Sequence, residues 1–412
     1  MRPHPPGPLR RRGPRPLPLH LNLAAMRAML AAWMPLPSAP GSPSWNAAWP
    51  ISNAGRAEAQ RIAAALAALG AGPEAFRARV LAALARADRR LISGIAAYRR
   101  HPYARDMAEP PVAWAEGGSR VLDYGGAGPG VLFVPSLVNR AHVLDLMPEA
   151  SLLRWLAANG ARPLLLDWGW PGEAERAFTL TDYIAGRLER ALAALPGPVV
   201  LVGYCMGGLL ALAAALRRPD RVRALGLLAT PWDFHAGEGA LPRARAAAAL
   251  LPGLEPILAQ HGALPTDVVQ LLFAGLDPFG IARKFRAFAA LDPSSDRARR
   301  FVALEDWLND GVPLAAPVAR EALGGWYGRN DPAGLRWRVA GAVVDPAALA
   351  MPAFAAIPTA DRIVPPESAR ALAARIPGCT VHETAAGHIG MAAGTGAEAA
   401  LWRPLAGWLR GL

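Results

Sequence analysis

Residues 199–212 place a short apolar run directly before a glycine-bounded turn and a helical pattern. The run Val199–Val202 leads into Gly203-Tyr-Cys-Met-Gly207, and an Ala/Leu-rich stretch follows. A strand that turns this sharply into a helix strains the residue at the turn. Neighbouring chain then passes so close to the flanking residues that only glycine, which has no Cβ atom, fits there. The pattern predicts an α/β fold that presents Cys205 at a helix N-terminus, where unpaired N–H groups favour a thiolate. A buried cysteine beside packing glycines is the alternative interpretation.

A thiol nucleophile needs a base, and the base needs a group that orients it. Asp361 and His388 follow Cys205 in the order nucleophile, acid, histidine that this turn architecture uses. Asp361 lies in the loop after an apolar run at 351–358, and His388 lies in the loop after 379–383. The sequence therefore predicts the triad Cys205, Asp361 and His388. Asp361 as a cap of the helix that begins near Glu367 is the alternative.

Two other histidines remain alternatives for the base. His142 and His235 both follow predicted strand ends and are expected near the same edge of the sheet. His382 alternates with apolar residues and is predicted to lie on the surface. Cys379 is predicted to be a small buried residue inside a strand. Two cysteines without a Cys-x-x-Cys spacing indicate neither a disulfide framework nor a zinc site.

Strand and helix patterns alternate through the rest of the chain. The predicted strands are 120–124 and 130–134, taken as an opening pair, then 163–167, 199–203, 224–230, 351–358 and 379–383. This alternation predicts a mostly parallel sheet that is buried on both faces, with ligands bound at the C-terminal strand ends.

The chain divides into three predicted regions. Residues 1–50 are rich in Pro and Arg and are predicted to be a disordered arm, and residues 51–110 show helical periodicity. Residues 111–412 form the predicted catalytic domain. Its segment at about 234–345 breaks the alternation and is rich in aromatic residues, so we expect an inserted lid over the site. A helical cap that contributes only stability is the alternative.

Composition limits the function classes. The 412 residues are 53% hydrophobic, which supports a sizeable core, and carry a net charge of +12. Lys284 is the only lysine, so the positive charge is almost entirely Arg, which we interpret mainly as solvated helix surface. An acidic partner such as a coenzyme A phosphate or a granule surface is the functional alternative. No aromatic-interleaved basic stripe indicates nucleic-acid binding, and no apolar run is uninterrupted enough to span a membrane.

Several motifs together resemble one family. They occur in order as Pro135-Ser-Leu-Val-Asn-Arg140, Leu144-Asp-Leu146, Leu166-Asp-Trp-Gly-Trp-Pro171, Gly203-Tyr-Cys-Met-Gly-Gly208, Thr230-Pro-Trp-Asp-Phe234, Asp361-Arg-Ile-Val-Pro365 and Gly387-His-Ile-Gly390. This set resembles the polyhydroxyalkanoate synthases, enzymes of the α/β-hydrolase fold with a catalytic cysteine. The resemblance is greatest to the short type that works with a second subunit, and it covers residues 112–412.

The resemblance implies an acyltransferase that polymerises 3-hydroxyacyl-CoA thioesters and releases coenzyme A. Cys205 then carries the acyl group, His388 is the base, and Asp361 orients it. The backbone N–H groups of Met206 and Val138 form the expected oxyanion hole. A Cys-dependent hydrolase (an intracellular polyester depolymerase, esterase or thioesterase) is the alternative. A weaker alternative is a granule-associated or partner-binding protein whose catalytic site is vestigial.

The resemblance also implies the setting of the enzyme. The expected ligands are the acyl-CoA and the growing polyester chain, and no metal or organic cofactor is expected. The expected partners are a second synthase subunit or granule-associated protein and a second copy of the chain in a homodimer. The expected location is the cytoplasm, at the polymer granule surface.

Overall fold

A computed structural model describes residues 11–33, 52–68 and 73–412. Its α-helices are α1 (Leu17–Trp33), α2 (Asn53–Ala68), α3 (Pro73–Arg100), α4 (Leu152–Ala158), α5 (Glu189–Ala194), α6 (Met206–Arg217), α7 (Ala240–Ala249), α8 (Leu251–His261), α9 (Thr266–Ala274), α10 (Gly280–Phe288), α11 (Asp296–Asn309), α12 (Ala316–Arg320), α13 (Pro366–Arg375), α14 (His388–Ala393) and α15 (Arg403–Arg410). Short 3-10 helices span Ala141–Leu144, Glu175–Ala177 and Pro346–Ala348, and π-helices span Asp182–Leu188, Glu321–Gly328 and Glu398–Trp402.

The strands are β1 (Val112–Glu116), β2 (Ser119–Asp123), β3 (Gly130–Val134), β4 (Asp145–Met147), β5 (Ala150–Ser151), β6 (Arg162–Asp167), β7 (Val199–Tyr204), β8 (Val222–Leu228), β9 (Ala263–Leu264), β10 (Leu314–Ala315), β11 (Arg338–Val339), β12 (Ala342–Val343), β13 (Ala353–Pro358) and β14 (Thr380–Thr384). Eight of them form one sheet in the order β1-β2-β6-β3-β7-β8-β13-β14. The pairs from β6 to β14 are parallel, whereas β1–β2 and β2–β6 are antiparallel. The predicted mostly parallel sheet is confirmed.

The central strands are buried on both faces because their residues alternate between two apolar clusters. Leu132, Val134 and Leu201 pack on the side of α6, whereas Phe133 and Val202 pack on the opposite side with α4 and α15. Such two-sided burial is typical of parallel strands and explains their continuous Val/Leu runs. The carboxyl ends of these strands lie at one edge of the sheet, where the predicted site residues follow them.

Two details of the sheet differ from the prediction. The strands predicted as an opening pair, β2 and β3, are not neighbours, because β6 lies between them. The order of the strands along the chain does not show which of them become neighbours in the sheet, so the sequence did not predict this crossover. The sequence also missed β1, an edge strand whose residues are partly or fully exposed and which pairs only with β2. Edge strands lack the continuous apolar pattern that marks a buried strand.

The chain forms two compact units. The larger unit comprises 102–276 and 299–412 and holds the sheet, and the smaller comprises the described residues up to 101 together with 277–298. The segment between β8 and β13, where the sequence predicted an insertion, is largely helical. However, its segment 277–298, which contains α10, belongs to the smaller unit.

Helices α1, α3 and α10 pack together in the smaller unit. Gly94 of α3 lies against the Phe285 carbonyl, so that a Cβ atom there would come within 2.0 Å of the oxygen. Tyr98 meets the Phe285 ring edge-on at 5.5 Å, and Arg27 of α1 forms an ion pair with Asp88 of α3. Helix α1 lies where the sequence predicted a disordered arm. Its Leu/Ala-rich composition favours a helix, and packing against α3 stabilises it. The remainder of that predicted arm, residues 1–10 and 34–50, lies outside the described residues.

Candidate active site

Cys205 occupies the turn between β7 and α6 in a strained conformation. Its φ is 56° and its ψ is −129°, a region that residues with a side chain seldom adopt, and it is the N-cap residue of α6. Close backbone contacts on both sides hold it there. A Cβ atom on Gly203 would lie 2.3 Å from the Gly208 Cα, and one on Gly207 would lie 2.1 Å from the Val134 carbonyl oxygen. The glycines therefore have the steric role that their spacing predicted.

His388 and Asp361 meet beside this turn. The His388 Nδ1 and the Asp361 Oδ2 are 2.6 Å apart, and both side chains are buried. The other carboxylate oxygen of Asp361 accepts the backbone N–H groups of Ile363 and Val364 at 2.8 and 3.0 Å. Asp361 is thus fixed by its own loop while it orients His388. The alternative role as a helix cap does not apply, because Pro365 is the N-cap of α13.

The chemistry of His388 depends on its contact with Cys205. Burial disfavours its charged form, but the charge of Cys205 and hydrogen bonds with Asp361 and Cys205 outweigh burial and raise the pKa of His388 to about 10. The structure therefore brings all three residues of the predicted triad together. The contacts with Cys205 and Asp361 thus favour the protonated form of the His388 imidazole.

Tyr204 supports His388 from the turn itself and was not singled out in the sequence. Its hydroxyl donates to the His388 carbonyl oxygen at 3.1 Å, and the two rings lie 5.2 Å apart. The side chain is almost fully buried. The sequence signal for Tyr204 was its position directly before Cys205. A residue between the glycine and the nucleophile faces away from the helix that follows.

The backbone donors expected for the oxyanion hole lie in the helix that follows Cys205 and in the loop that follows β3. Met206 is the first residue of α6, where N–H groups have no partner within the helix. Val138 lies in the loop after β3, and its N–H donates to the Ser136 hydroxyl at 3.2 Å. A substrate oxyanion would have to replace that hydroxyl as the acceptor.

The other candidate bases lie in different surroundings. His142 lines a cavity of about 120 Å³ together with Arg105, Arg140 and Asp167, and none of the triad residues lines that cavity. Burial, with Arg105 and Arg140, lowers the pKa of His142 to about 4. His235 instead makes a hydrogen bond through its Nε2 to the Tyr327 carbonyl oxygen at 2.8 Å. Neither ring makes the contacts with Cys205 and Asp361 that His388 makes.

Two smaller predictions need correction. Cys379 is only half-buried and precedes β14, because that strand begins one residue later than predicted; burial raises its pKa to about 11. His382 is partly buried and stacks on Phe354, with its Nε2 2.9 Å from the Ala400 carbonyl oxygen. The π-helix that covers it was not apparent in the sequence.

The insertion contributes an aromatic wall above the end of β8. Phe234 stacks on Trp326 at 5.8 Å and meets Tyr327 at 5.0 Å. Asn330 holds this contact, because its side chain accepts the Phe234 N–H at 3.0 Å and donates to Asp233 at 2.8 Å. Asn330 is therefore hydrogen-bonded to the loop that follows β8.

Within residues 11–33, 52–68 and 73–412, no group of three or more His, Cys, Asp and Glu side chains is arranged to hold a metal ion. No helix in that part of the chain combines the length and apolarity needed to cross a bilayer.

Comparison with known proteins identifies the family. Residues 129–394 match the alpha/beta hydrolase fold family. The poly(3-hydroxyalkanoate) polymerase subunit PhaC of Haloferax mediterranei is 29% identical over 287 residues, which are 68% of this chain and 58% of that protein. The proteins of the same name from Allochromatium vinosum and Synechocystis sp. are 29% and 30% identical, each over 68% of this chain and over 80% and 77% of their own length.

This chain matches less than two thirds of the Haloferax protein but more than two thirds of the other two. The family match covers more than half of the chain and includes Cys205, Asp361 and His388. The family predicted from the motifs is confirmed, and the chain belongs to the poly(3-hydroxyalkanoate) polymerases of the α/β-hydrolase superfamily.

Proposed function

We propose that this chain polymerises 3-hydroxyacyl-CoA thioesters through a covalent acyl-cysteine at Cys205 and releases coenzyme A. The observation that carries the proposal is the contact of His388 with both Cys205 and Asp361 at a strained strand–helix turn. The names of the relatives support the reaction class. A thiolate suits this chemistry, because the thiolate that leaves a thioester resembles the one that attacks it.

The first step loads the cysteine. The Cys205 thiolate attacks the thioester carbonyl, and Met206 and Val138 stabilise the oxyanion through their backbone N–H groups. The carbon–sulfur bond to coenzyme A then breaks, and the imidazolium of His388 gives its proton to the departing thiolate. Acyl-Cys205, neutral His388 and free coenzyme A result.

The second step extends the chain. Neutral His388 takes the proton of the 3-hydroxyl of another hydroxyacyl-CoA, and the hydroxyl oxygen attacks the carbonyl of acyl-Cys205. The new ester bond forms as the Cys205 thiolate leaves, which restores the imidazolium–thiolate pair. The longer acyl-CoA product can then load Cys205 again and release its coenzyme A.

Water competes with the hydroxyl for acyl-Cys205, so the insertion decides between polymerisation and hydrolysis. The aromatic wall of Phe234, Trp326 and Tyr327 favours exclusion of water from the site. We propose that this wall acts as the lid under which the polyester leaves.

These steps use only the substrate and groups of this chain, so we propose that no metal or organic cofactor takes part. Dialysis against a chelator should leave the rate of coenzyme A release unchanged. A loss that added divalent metal restores would contradict this proposal.

We also propose that the chain works with a second synthase subunit or granule-associated protein, forms a homodimer, and acts in the cytoplasm at the polymer granule surface. The word "subunit" in the relatives' names supports an assembly. Light scattering during size-exclusion chromatography measures the mass directly. A monomer that polymerises at full rate alone would contradict both partner proposals.

The decisive experiment incubates the purified protein with 3-hydroxybutyryl-CoA and measures free thiol, free hydroxy acid and polymer together. We expect coenzyme A release with polymer, abolished in Cys205→Ala and retained in the matched Cys379→Ala variant. Free hydroxy acid without polymer would indicate the hydrolase instead. Turnover in Cys205→Ala would rule out the acyl-cysteine, and near-normal activity in Cys205→Ser would show that the thiolate is not essential.

A further inference from the structure

The loop that carries Val138 is hydrogen-bonded to the insertion at three successive residues. The Val312 N–H donates to the Val138 carbonyl oxygen at 3.2 Å, and Asn139 forms an isolated antiparallel bridge with Gly311. The indole N–H of Trp307 donates to the Arg140 carbonyl oxygen at 2.7 Å. Together these contacts hold residues 138–140 against residues 307–312 of the insertion, much as a short edge strand is held by its neighbour.

The opposite end of the same loop is held from the sheet. Trp168 follows β6, and its indole N–H donates to the Pro135 carbonyl oxygen at 3.0 Å. Two buried indoles therefore fix the two ends of 135–140, one from the sheet and one from the insertion. Between them, the Val138 N–H donates to the Ser136 hydroxyl within the same loop.

The insertion segment is itself anchored. The Thr266 hydroxyl donates to the Gly311 carbonyl oxygen at 3.1 Å, and the Gln270 side chain donates to the Leu308 carbonyl oxygen at 2.9 Å. Gly311 is needed for this approach, because a Cβ atom there would lie 2.7 Å from the Thr266 methyl group. Helix α9 thus braces the segment that holds the loop.

We infer that residues 307–312 of the insertion position the oxyanion-hole loop, with Trp307 as the principal positioning residue. An oxyanion donor contributes only when it is held at the place where charge develops, and an error of about 1 Å costs up to ~100-fold in rate. The sheet holds the Pro135 carbonyl through Trp168 and reaches the Arg140 side chain through its ion pair with Asp167 at 3.5 Å. The backbone of 138–140 is held by the insertion, so the hole is complete only when that segment is in place.

This inference rests on the proposed roles of Cys205 and Val138. It predicts that the insertion controls acyl transfer through the oxyanion hole as well as through exclusion of water. Trp307→Phe tests it, because phenylalanine keeps most of the buried ring and removes the N–H that reaches Arg140.

A matched control is available in the same insertion. Trp337 is equally buried, and within the described residues its indole N–H has no partner. Trp337→Phe therefore makes the same change in side-chain volume without the loss of a hydrogen bond. Thermal unfolding of both variants checks that the volume change is tolerated.

Two reactions of Cys205 separate positioning from general damage. Acylation by p-nitrophenyl butyrate passes through an oxyanion, whereas alkylation by iodoacetamide displaces iodide and forms none. Both are followed at the Cys205 peptide by mass spectrometry, which separates it from Cys379. We expect Trp307→Phe to slow acylation on the order of 10-fold, less than the ~10²–10³-fold cost of a lost donor. Its alkylation rate, and both rates in Trp337→Phe, should stay near the wild-type values.

Each other result overturns the inference. Unchanged acylation in Trp307→Phe would show that the indole does not position the loop. Equal slowing of acylation and alkylation, or equal slowing in Trp337→Phe, would indicate general damage. The ester assay does not require a hydroxyacyl-CoA. A wild-type protein that is acylated without making polymer would therefore contradict the proposed function and leave this inference standing. A wild-type protein that is alkylated but never acylated would contradict both.

Discussion

At the scale of single residues, Cys205, His388 and Asp361 meet although they lie far apart in sequence. His388 lies between Cys205 and Asp361, and both partners favour its protonated form against the effect of burial. Tyr204 adds a hydrogen bond to the backbone of His388 and a ring contact. Tyr204 therefore affects the position of the imidazole, and Cys205 and Asp361 affect its charge. Separate substitutions can test the two effects.

The charge state of His388 should respond to removal of the thiol. Because the Cys205 charge is the largest contribution that raises the pKa of His388 above its ordinary value, Cys205→Ala should lower that pKa. Proton NMR of the His388 ring across a pH titration measures it. Cys379→Ala serves as the control and should leave the titration unchanged. An equal pKa in wild type and Cys205→Ala would mean that Asp361 alone holds the proton.

The position of His388 should respond to loss of the Tyr204 hydroxyl. Tyr204→Phe keeps the ring contact and removes a buried hydrogen bond, which typically contributes about 0.5–1.5 kcal/mol. If that bond positions His388 for proton transfer, acyl transfer should fall about 2–10-fold, with little change in KM. Steady-state coenzyme A release measures this. A change confined to KM would place the effect in substrate binding.

At the scale of elements, the turn between β7 and α6 is built by close approach of backbone to backbone. Gly207 lies against the last residue of β3 and Pro135, so α6 packs directly on the strand that leads to the oxyanion loop. Rigid backbone atoms cannot move aside as a flexible side chain can. The turn therefore tolerates little change at this glycine.

Gly207→Ala should lower the free energy of unfolding and impair acyl transfer, because the added Cβ would lie 2.1 Å from the Val134 carbonyl oxygen. We expect a loss of more than about 2 kcal/mol, as for overpacked cores. Gly407→Ala in α15 is the control. Nothing lies within 4 Å of its Cβ position, so this change should stabilise by about 0.4–1 kcal/mol. Urea unfolding of both variants measures the difference, and equal stabilities would contradict the steric account.

At the scale of the whole molecule, a buried ion pair ties the antiparallel edge of the sheet to the helical layer. Arg187 of the π-helix Asp182–Leu188 contacts Glu175 at 3.0 Å, and both side chains are under a tenth exposed. Arg187 also donates to the Ser119 hydroxyl, and Glu175 accepts the Gly118 N–H. These groups add to the pairing of β2 with β6, which also holds the β1–β2 hairpin to the sheet.

Glu175→Gln should destabilise the fold by about 1.5–3 kcal/mol, because it removes a charged hydrogen-bond partner of Arg187 and leaves Glu116, at 3.2 Å, as its carboxylate partner. The exposed pair of Glu398 and Arg403 is the control, and Glu398→Gln should cost under about 1 kcal/mol. Denaturant unfolding measures both. Similarly small losses of stability in both variants would show that water solvates the Arg187 charge once Glu175 is neutral.

The same pair predicts a pH dependence. Burial opposes ionisation, but bonds from the Gly118 N–H and Arg187 lower the pKa of Glu175 below its ordinary 4.5. The unfolded chain then takes up this proton first, so the wild type loses the contribution of the pair as pH falls through 4.5 towards the lowered pKa. Glu175→Gln should lack that part of the acid destabilisation. Parallel stability curves in acid would contradict the assignment.

The sequence by itself determined the buried parallel strands, the turn at Cys205 and the order of Cys205, Asp361 and His388. These features are local, because apolar runs, glycines and loop positions act on their immediate neighbours. The crossover that places β6 between β2 and β3, the assignment of 277–298 to the smaller unit, and the contact of Trp307 with Arg140 were decided only by tertiary structure. Each of these features joins distant segments through packing and backbone hydrogen bonds. Any sequence of suitable size and polarity can make such contacts, so they leave no motif in the sequence.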